Sequence, residues 1–123
     1  MDIKEILLRF SLIASLSEEE AAPWVSICSE AAEEIRRLMK DATKEEENGA
    51  RLNAAAAALA LYRYTVYRAS AEEMSSFSAG DIKINSDKKI MVEMALKIWL
   101  DAKRSISDLI NDDEFLVGQV NII

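Results

Sequence analysis

From Leu52 to Leu61 the chain reads Leu-Asn-Ala-Ala-Ala-Ala-Ala-Leu-Ala-Leu, apolar at every position but Asn53. Alanine gives up no side-chain entropy on entering a helix and ranks first among helix formers. A helix apolar nearly all round belongs in the middle of a bundle, and side chains this small let neighbours approach on more than one side. The surroundings have to be helical too. Three Gly and one Pro among 123 residues leave little material for turns. Ala, Leu, Ile, Glu and Lys dominate instead, all of them helix formers or helix-core residues. The expected fold is all-α: a single domain over 1–123, a small bundle of about four helices, with a loop or short strand near residues 76–85.

The first helix places Ile3, Ile6, Leu7 and Phe10 at helical spacing, with Asp2 as its N-cap, and should run to about Ala14. Ser17 and Glu20 form a capping box for the next one, which kinks or restarts at Pro23. From there Trp24, Ile27, Cys28, Ala31, Ile35, Leu38, Met39 and Ala42 follow the i, i+3, i+4 rule, while Glu30, Glu33, Glu34, Arg37 and Lys40 mark the wet face. Thr43-Lys44-Glu45-Glu46 repeats the capping-box pattern and predicts a third helix over about 45–69, whose first turns Gly49 weakens. The rings of Tyr62, Tyr64 and Tyr67 should pack while their hydroxyls reach the surface. Ser70, Ser75 to Ser78 and Ala79-Gly80-Asp81 supply turn chemistry, and Ile82-Lys83-Ile84 alternates as a short strand would. A last helix is expected over about 87–111, capped by Ser86. Its core stripe is Ile90, Met94, Ile98, Ala102, Ile106 and Leu109, widened by Met91, Trp99 and Ile110. Beyond it Phe115, Leu116, Val117, Val120, Ile122 and Ile123 form an apolar tail that either folds back on its own bundle or docks on another chain.

Candidate chemistry is sparse. Histidine, the commonest general base and metal ligand, is absent. Cys28 is the only cysteine and lies on an apolar helical stripe, the place of a structural thiol and not of a nucleophile; it leaves no intrachain disulfide. Gly49, Gly80 and Gly118 are too far apart for a phosphate-cradling loop. The acidic runs Glu18–Glu20, Glu33-Glu34, Glu45–Glu47, Glu72-Glu73 and Asp112–Glu114 splay around helices by about 100° per residue, so they suit capping and solubility better than catalysis or cation binding. Arg63 and Arg68 among the tyrosines are expected to cover apolar surface with their stems, not to form an anion site. A net charge of −7 with no basic cluster argues against nucleic acid and against an anionic membrane surface. No catalytic, cofactor or metal site is therefore expected. The start Met-Asp-Ile-Lys-Glu-Ile has no secretory character, so residence in the cytoplasm is expected.

The order of parts carries a further signal: the alanine-rich helix ending in Leu61-Tyr62-Arg63-Tyr64, the stretch Ser76-Phe77-Ser78-Ala79-Gly80-Asp81-Ile82-Lys83-Ile84, a final helix, and Asp112-Asp113-Glu114-Phe115-Leu116. In this layout the chain resembles the head-tail connector, or head-completion, proteins of tailed bacteriophages and prophages. The Ser-Phe-Ser-Ala-Gly-Asp stretch resembles the serine- and Gly-Asp-containing loop of that family. The resemblance implies a structural protein that forms a homo-oligomeric ring beneath the portal and joins capsid to tail. Its partners would be copies of itself and portal or tail components, met in the host cytoplasm during assembly and retained in the virion. It implies docking through Phe77, Gly80, Asp81, Ile82 and Ile84 in the loop and through Phe115, Leu116 and Val120 in the tail. A polar loop with one aromatic followed by an alternating triplet suits addition of an edge strand to a neighbour; the same loop also serves as an ordinary helix connection. Connectors of this type are compact with variable termini, and nothing in these residues fixes a subunit number. The other function class open to such a chain is a cytoplasmic helical adaptor or regulator, acting as a dimer that buries the same tail.

Overall fold

The computed structural model describes residues 1–78 and 86–111, with side chains described for 1–71 and 87–111. These residues form an all-α bundle of four long helices. The order is α1 (Ile3–Ile13), the single turn α2 (Glu18–Ala21), a 3₁₀ turn at Ala22–Trp24, α3 (Val25–Leu38), a second 3₁₀ turn at Ala42–Lys44, α4 (Gly49–Ser78) and α5 (Ser86–Ser105).

Local chemistry sets the ends. The Asp2 side chain caps α1 by accepting from the Lys4 N–H at 2.9 Å. At the other end Ser15 takes a positive φ of 57°, the Leu16 N–H reaches the Ser11 carbonyl at 2.8 Å, and the Ser15 N–H reaches Leu12 at 3.3 Å. This is a Schellman ending built on serine where glycine is usual. The capping box before α2 is complete, with Ser17 and Glu20 each accepting from the other's backbone N–H. Pro23 then occupies a 3₁₀ turn, where its missing N–H does no harm, and the chain restarts as α3.

Both ends of α4 differ from the sequence expectation. Thr43 is not an N-cap of a box: Asp41 is the cap, accepting from the Thr43 N–H at 2.9 Å and from its hydroxyl at 2.6 Å. An aspartate two residues upstream outcompetes the threonine because its charged oxygen accepts both bonds. In consequence α4 begins at Gly49, not near residue 45. It also continues through Ser70 and Ser75–Ser78, so the serines there do not turn the chain. Serine costs at most about 0.7 kcal/mol relative to alanine in a helix interior, too little to end a helix already formed. Residues 76–78, Phe77 among them, are thus helical backbone. The rest of the expected loop or strand, 79–85, lies outside the described residues.

At 30 residues α4 is about 45 Å long, and it forms the axis of the bundle. Residues 55–61 are buried without interruption, as a central helix demands. α1 and α3 pack on α4 and on each other, whereas α5 rests mainly on α4. Ile6 and Phe10 from α1 and Cys28, Ala31, Ala32, Ile35 and Leu38 from α3 close one side of the core. Each large side chain among them is worth about 1.5–3 kcal/mol of burial. Phe10, Trp24 and Tyr64 meet edge to face, with ring centroids 5.4 Å apart for Phe10–Tyr64 and 4.7 Å for Trp24–Tyr64. Tyr62 and Tyr64 are half-buried and Tyr67 is exposed, its ring against Trp24.

The last helix is shorter than expected. α5 stops at Ser105, turns carry the chain through Leu109, and Ile110 forms an isolated antiparallel bridge with Met39. Lys40 N–H donates to the Leu109 carbonyl at 3.0 Å and Asn111 N–H donates to the Leu38 carbonyl at 2.8 Å. This clasp satisfies backbone groups left over at the end of α3. Arg51 reinforces it from α4 with paired bonds to Asp108 at 2.7 and 3.3 Å and one to the Ser105 carbonyl at 2.8 Å.

Candidate interaction surface

α5 does not bury the stripe its sequence suggests. Ile90, Met94 and Ile98 are 52%, 60% and 44% exposed, and Met91 is 61% exposed. The buried positions are Ala95, Trp99, Ile106, Leu109 and Ile110, with Val92, Leu96, Leu100 and Ala102 half-buried. The reason is geometric. A helix resting on one neighbour can bury about one stripe, and α5 carries two: one centred on Trp99, which faces α4, and one on Met94, which does not. Of the residues expected in the core, Trp99, Ile106, Leu109 and Ile110 are buried and Ala102 is half-buried, whereas Ile90, Met91, Met94 and Ile98 are exposed.

The exposed row is straight. Ile90, Met94 and Ile98 recur every four residues and so share one face, with Met91 beside them. Single exposed apolar residues are ordinary, but four adjacent large ones on one helix mark a contact surface. At the edge of the row a recess of about 140 Å³ opens between the helices, lined by Tyr64, Thr65, Arg68 and Ala69 of α4 and Lys88 and Met91 of α5. The Arg68 guanidinium lies 5.8 Å from the Tyr64 ring centroid, and Arg63 reaches Glu34 at 3.8 Å. Both arginines therefore have partners within the fold, as expected for stems that cover apolar surface.

Of the docking residues implied by the connector resemblance, Phe77 sits in the last turns of α4. Gly80, Asp81, Ile82, Ile84, Phe115, Leu116 and Val120 lie outside the described residues, as does the whole tail 112–123. The row on α5 went unrecognised because its apolar residues could be assigned to the core. The signal available in the sequence was that α5 has apolar residues on more than half of its circumference, more than a single neighbour can cover.

Several titratable groups serve the fold. Cys28 is fully buried, and burial pushes its thiol up to about 11, the opposite of what a nucleophile needs. Glu45 accepts from Arg36 at 3.0 and 3.3 Å and pairs with the amino group of Met1; the Arg36 bonds foremost hold its carboxyl below the usual range. Arg36 also reaches Glu33 at 2.7 Å, so this small network ties α1, α3 and the approach to α4 together. Glu34 pairs with Arg37 and Glu47 with Lys44, each at 3.4 Å. Among the described residues no group of three or more His, Cys, Asp or Glu could hold a metal ion. Among the same residues no helix is long and apolar enough to cross a membrane. No protein-family model, curated protein or solved structure matches the chain.

Proposed function

We propose that this chain is a non-enzymatic assembly protein that works by associating with other protein chains, copies of itself included. The observation that carries this reading is the uncovered apolar row on α5, which lies on a different face of that helix from Ala95 and Trp99, the residues it adds to the core. Cys28 and the paired carboxylates are better explained as parts of the fold than as reacting groups. Within this class, the head-tail connector role rests on the resemblance of the sequence and implies ring assembly with portal or tail components. A second reading, a helical adaptor acting as a dimer, is favoured by the α5 row itself, because a straight exposed stripe on an outer helix suits pairing with one other helix.

Light scattering coupled to size exclusion, run from dilute to concentrated protein, separates the two. Ring-sized species that grow with concentration support the connector role, and a dimer that persists on dilution supports the adaptor. A strict monomer at every concentration overturns self-association and leaves only binding to a different chain.

A further inference from the structure

We infer that two copies of this chain pair through α5, antiparallel, about a two-fold axis beside Met94. This rests on the reading of the chain as a protein-binding module and adds the partner and the geometry. Beside the apolar row Ile90, Met94, Ile98 runs a second row with the same four-residue spacing: Lys89, Glu93, Lys97 and Asp101, all exposed. Its signs alternate plus, minus, plus, minus. Laid against itself antiparallel, the row sets Lys89 against Asp101 of the other copy and Glu93 against Lys97, and the same pairs recur on the other half. In a parallel pair a flanking row faces the opposite flank of its partner, so only the antiparallel arrangement brings this row against itself.

The two rows agree on where the axis passes. The charged pairs are centred on residue 95 and the Ile90–Ile98 pair on residue 94, a difference of one residue or about 1.5 Å along the helix. Such self-complementarity is what a two-fold contact requires, since each patch must match itself. Position in the bundle permits it, because α5 rests mainly on α4 and its Met94 side is open. Asp101 also meets Arg104 at 3.3 Å, but that pair is exposed and too weak to hold the carboxylate away. The chain's own tail is the poorer occupant. Asp112, Asp113 and Glu114 are its charges and it has no base, so it cannot answer Glu93 and Asp101. Asn111, from which it departs, is bonded to Leu38 at the end of α3.

Sedimentation equilibrium of the full chain tests the pairing and should show a monomer–dimer equilibrium. Met94→Asp places like charges at the axis and should raise the dimer Kd about a hundredfold while far-UV circular dichroism stays unchanged. Glu93→Lys alone and Lys97→Glu alone should each raise it about two- to fivefold, and the double variant should restore it, since the pattern is again self-complementary. Met94→Cys should cross-link the dimer under mild oxidation. Association untouched by Met94→Asp, or a double charge reversal that does not rescue the singles, overturns the pairing. Ring-sized species that survive Met94→Asp overturn it while leaving assembly intact. A monomer that dimerises only after residues 112–123 are removed shows the tail to be the occupant and overturns it as stated. A monomer in every case removes both the pairing and self-association.

Discussion

α3 and α5 carry apolar rows of similar regularity, yet one is a wall of the core and the other faces solvent. In α3, Cys28, Ala31, Ile35 and Leu38 are all buried, because α1 and α4 both lie against that helix. In α5, Ile90, Met94 and Ile98 stay uncovered, because the helix leans mainly on α4 and spends Ala95 and Trp99 on that contact. Periodicity reports that a face is apolar. Whether the face is covered depends on how many neighbours the helix has, and that number belongs to the fold.

The largest expected effect lies on the central helix that both share. Leu59→Asp should abolish the fold, at a cost of about 4 kcal/mol or more, because it would bury a charge among the apolar side chains of the core. A soluble variant with unchanged helicity would show that α4 is not the axis of the bundle. The comparison itself is broken or sharpened by a matched pair. Ile35→Ala should lower stability by about 2–5 kcal/mol in urea unfolding, whereas Ile98→Ala should cost less than about 1 kcal/mol in dilute, monomeric protein. Equal losses would mean that the α5 row is covered after all.

Next in size is the network on the α3 side. Glu45→Gln should cost about 1 kcal/mol near neutral pH. Since the folded carboxyl is held below its ordinary value, its contribution is fully present above that value and is lost as pH falls through the lowered one. The difference between wild type and Glu45→Gln should therefore shrink on acidification. A gap that stays constant in acid would show that the Arg36 contact is not the source. The smallest effect is a gain. Ser15→Gly should add about 1 kcal/mol to the thermal or urea stability, because Ser15 adopts a left-handed conformation that glycine takes without a steric penalty. A loss would mean that the serine hydroxyl does more in that turn than its backbone suggests.

Much of the fold was legible from local chemistry. The Asp2 cap, the Ser17–Glu20 box, the restart at Pro23 and the stripe of α3 are all short-range matters, settled by residues within four or five positions of one another. The alanine run announced a central helix, since no other environment suits a helix with so little polar surface. What misled was competition between near-equal local options. Asp41 displaced Thr43 as a cap, and the serines after Tyr67 accepted helix because α4 extends through them. The site was less legible than the fold. Phe77 is helical backbone, and the α5 row has the same spacing as a core stripe although it is exposed.

The sequence by itself determined that the chain is helical and which helix lies at its centre, because these follow from propensity, capping and composition. Only the tertiary structure decided that the chain after α5 closes on the end of α3 and that the Trp99 face of α5 lies inside while the Met94 face lies outside. Two apolar faces on one helix are equivalent in transfer free energy, and they become different only when the packing leaves room for a neighbour on one of them.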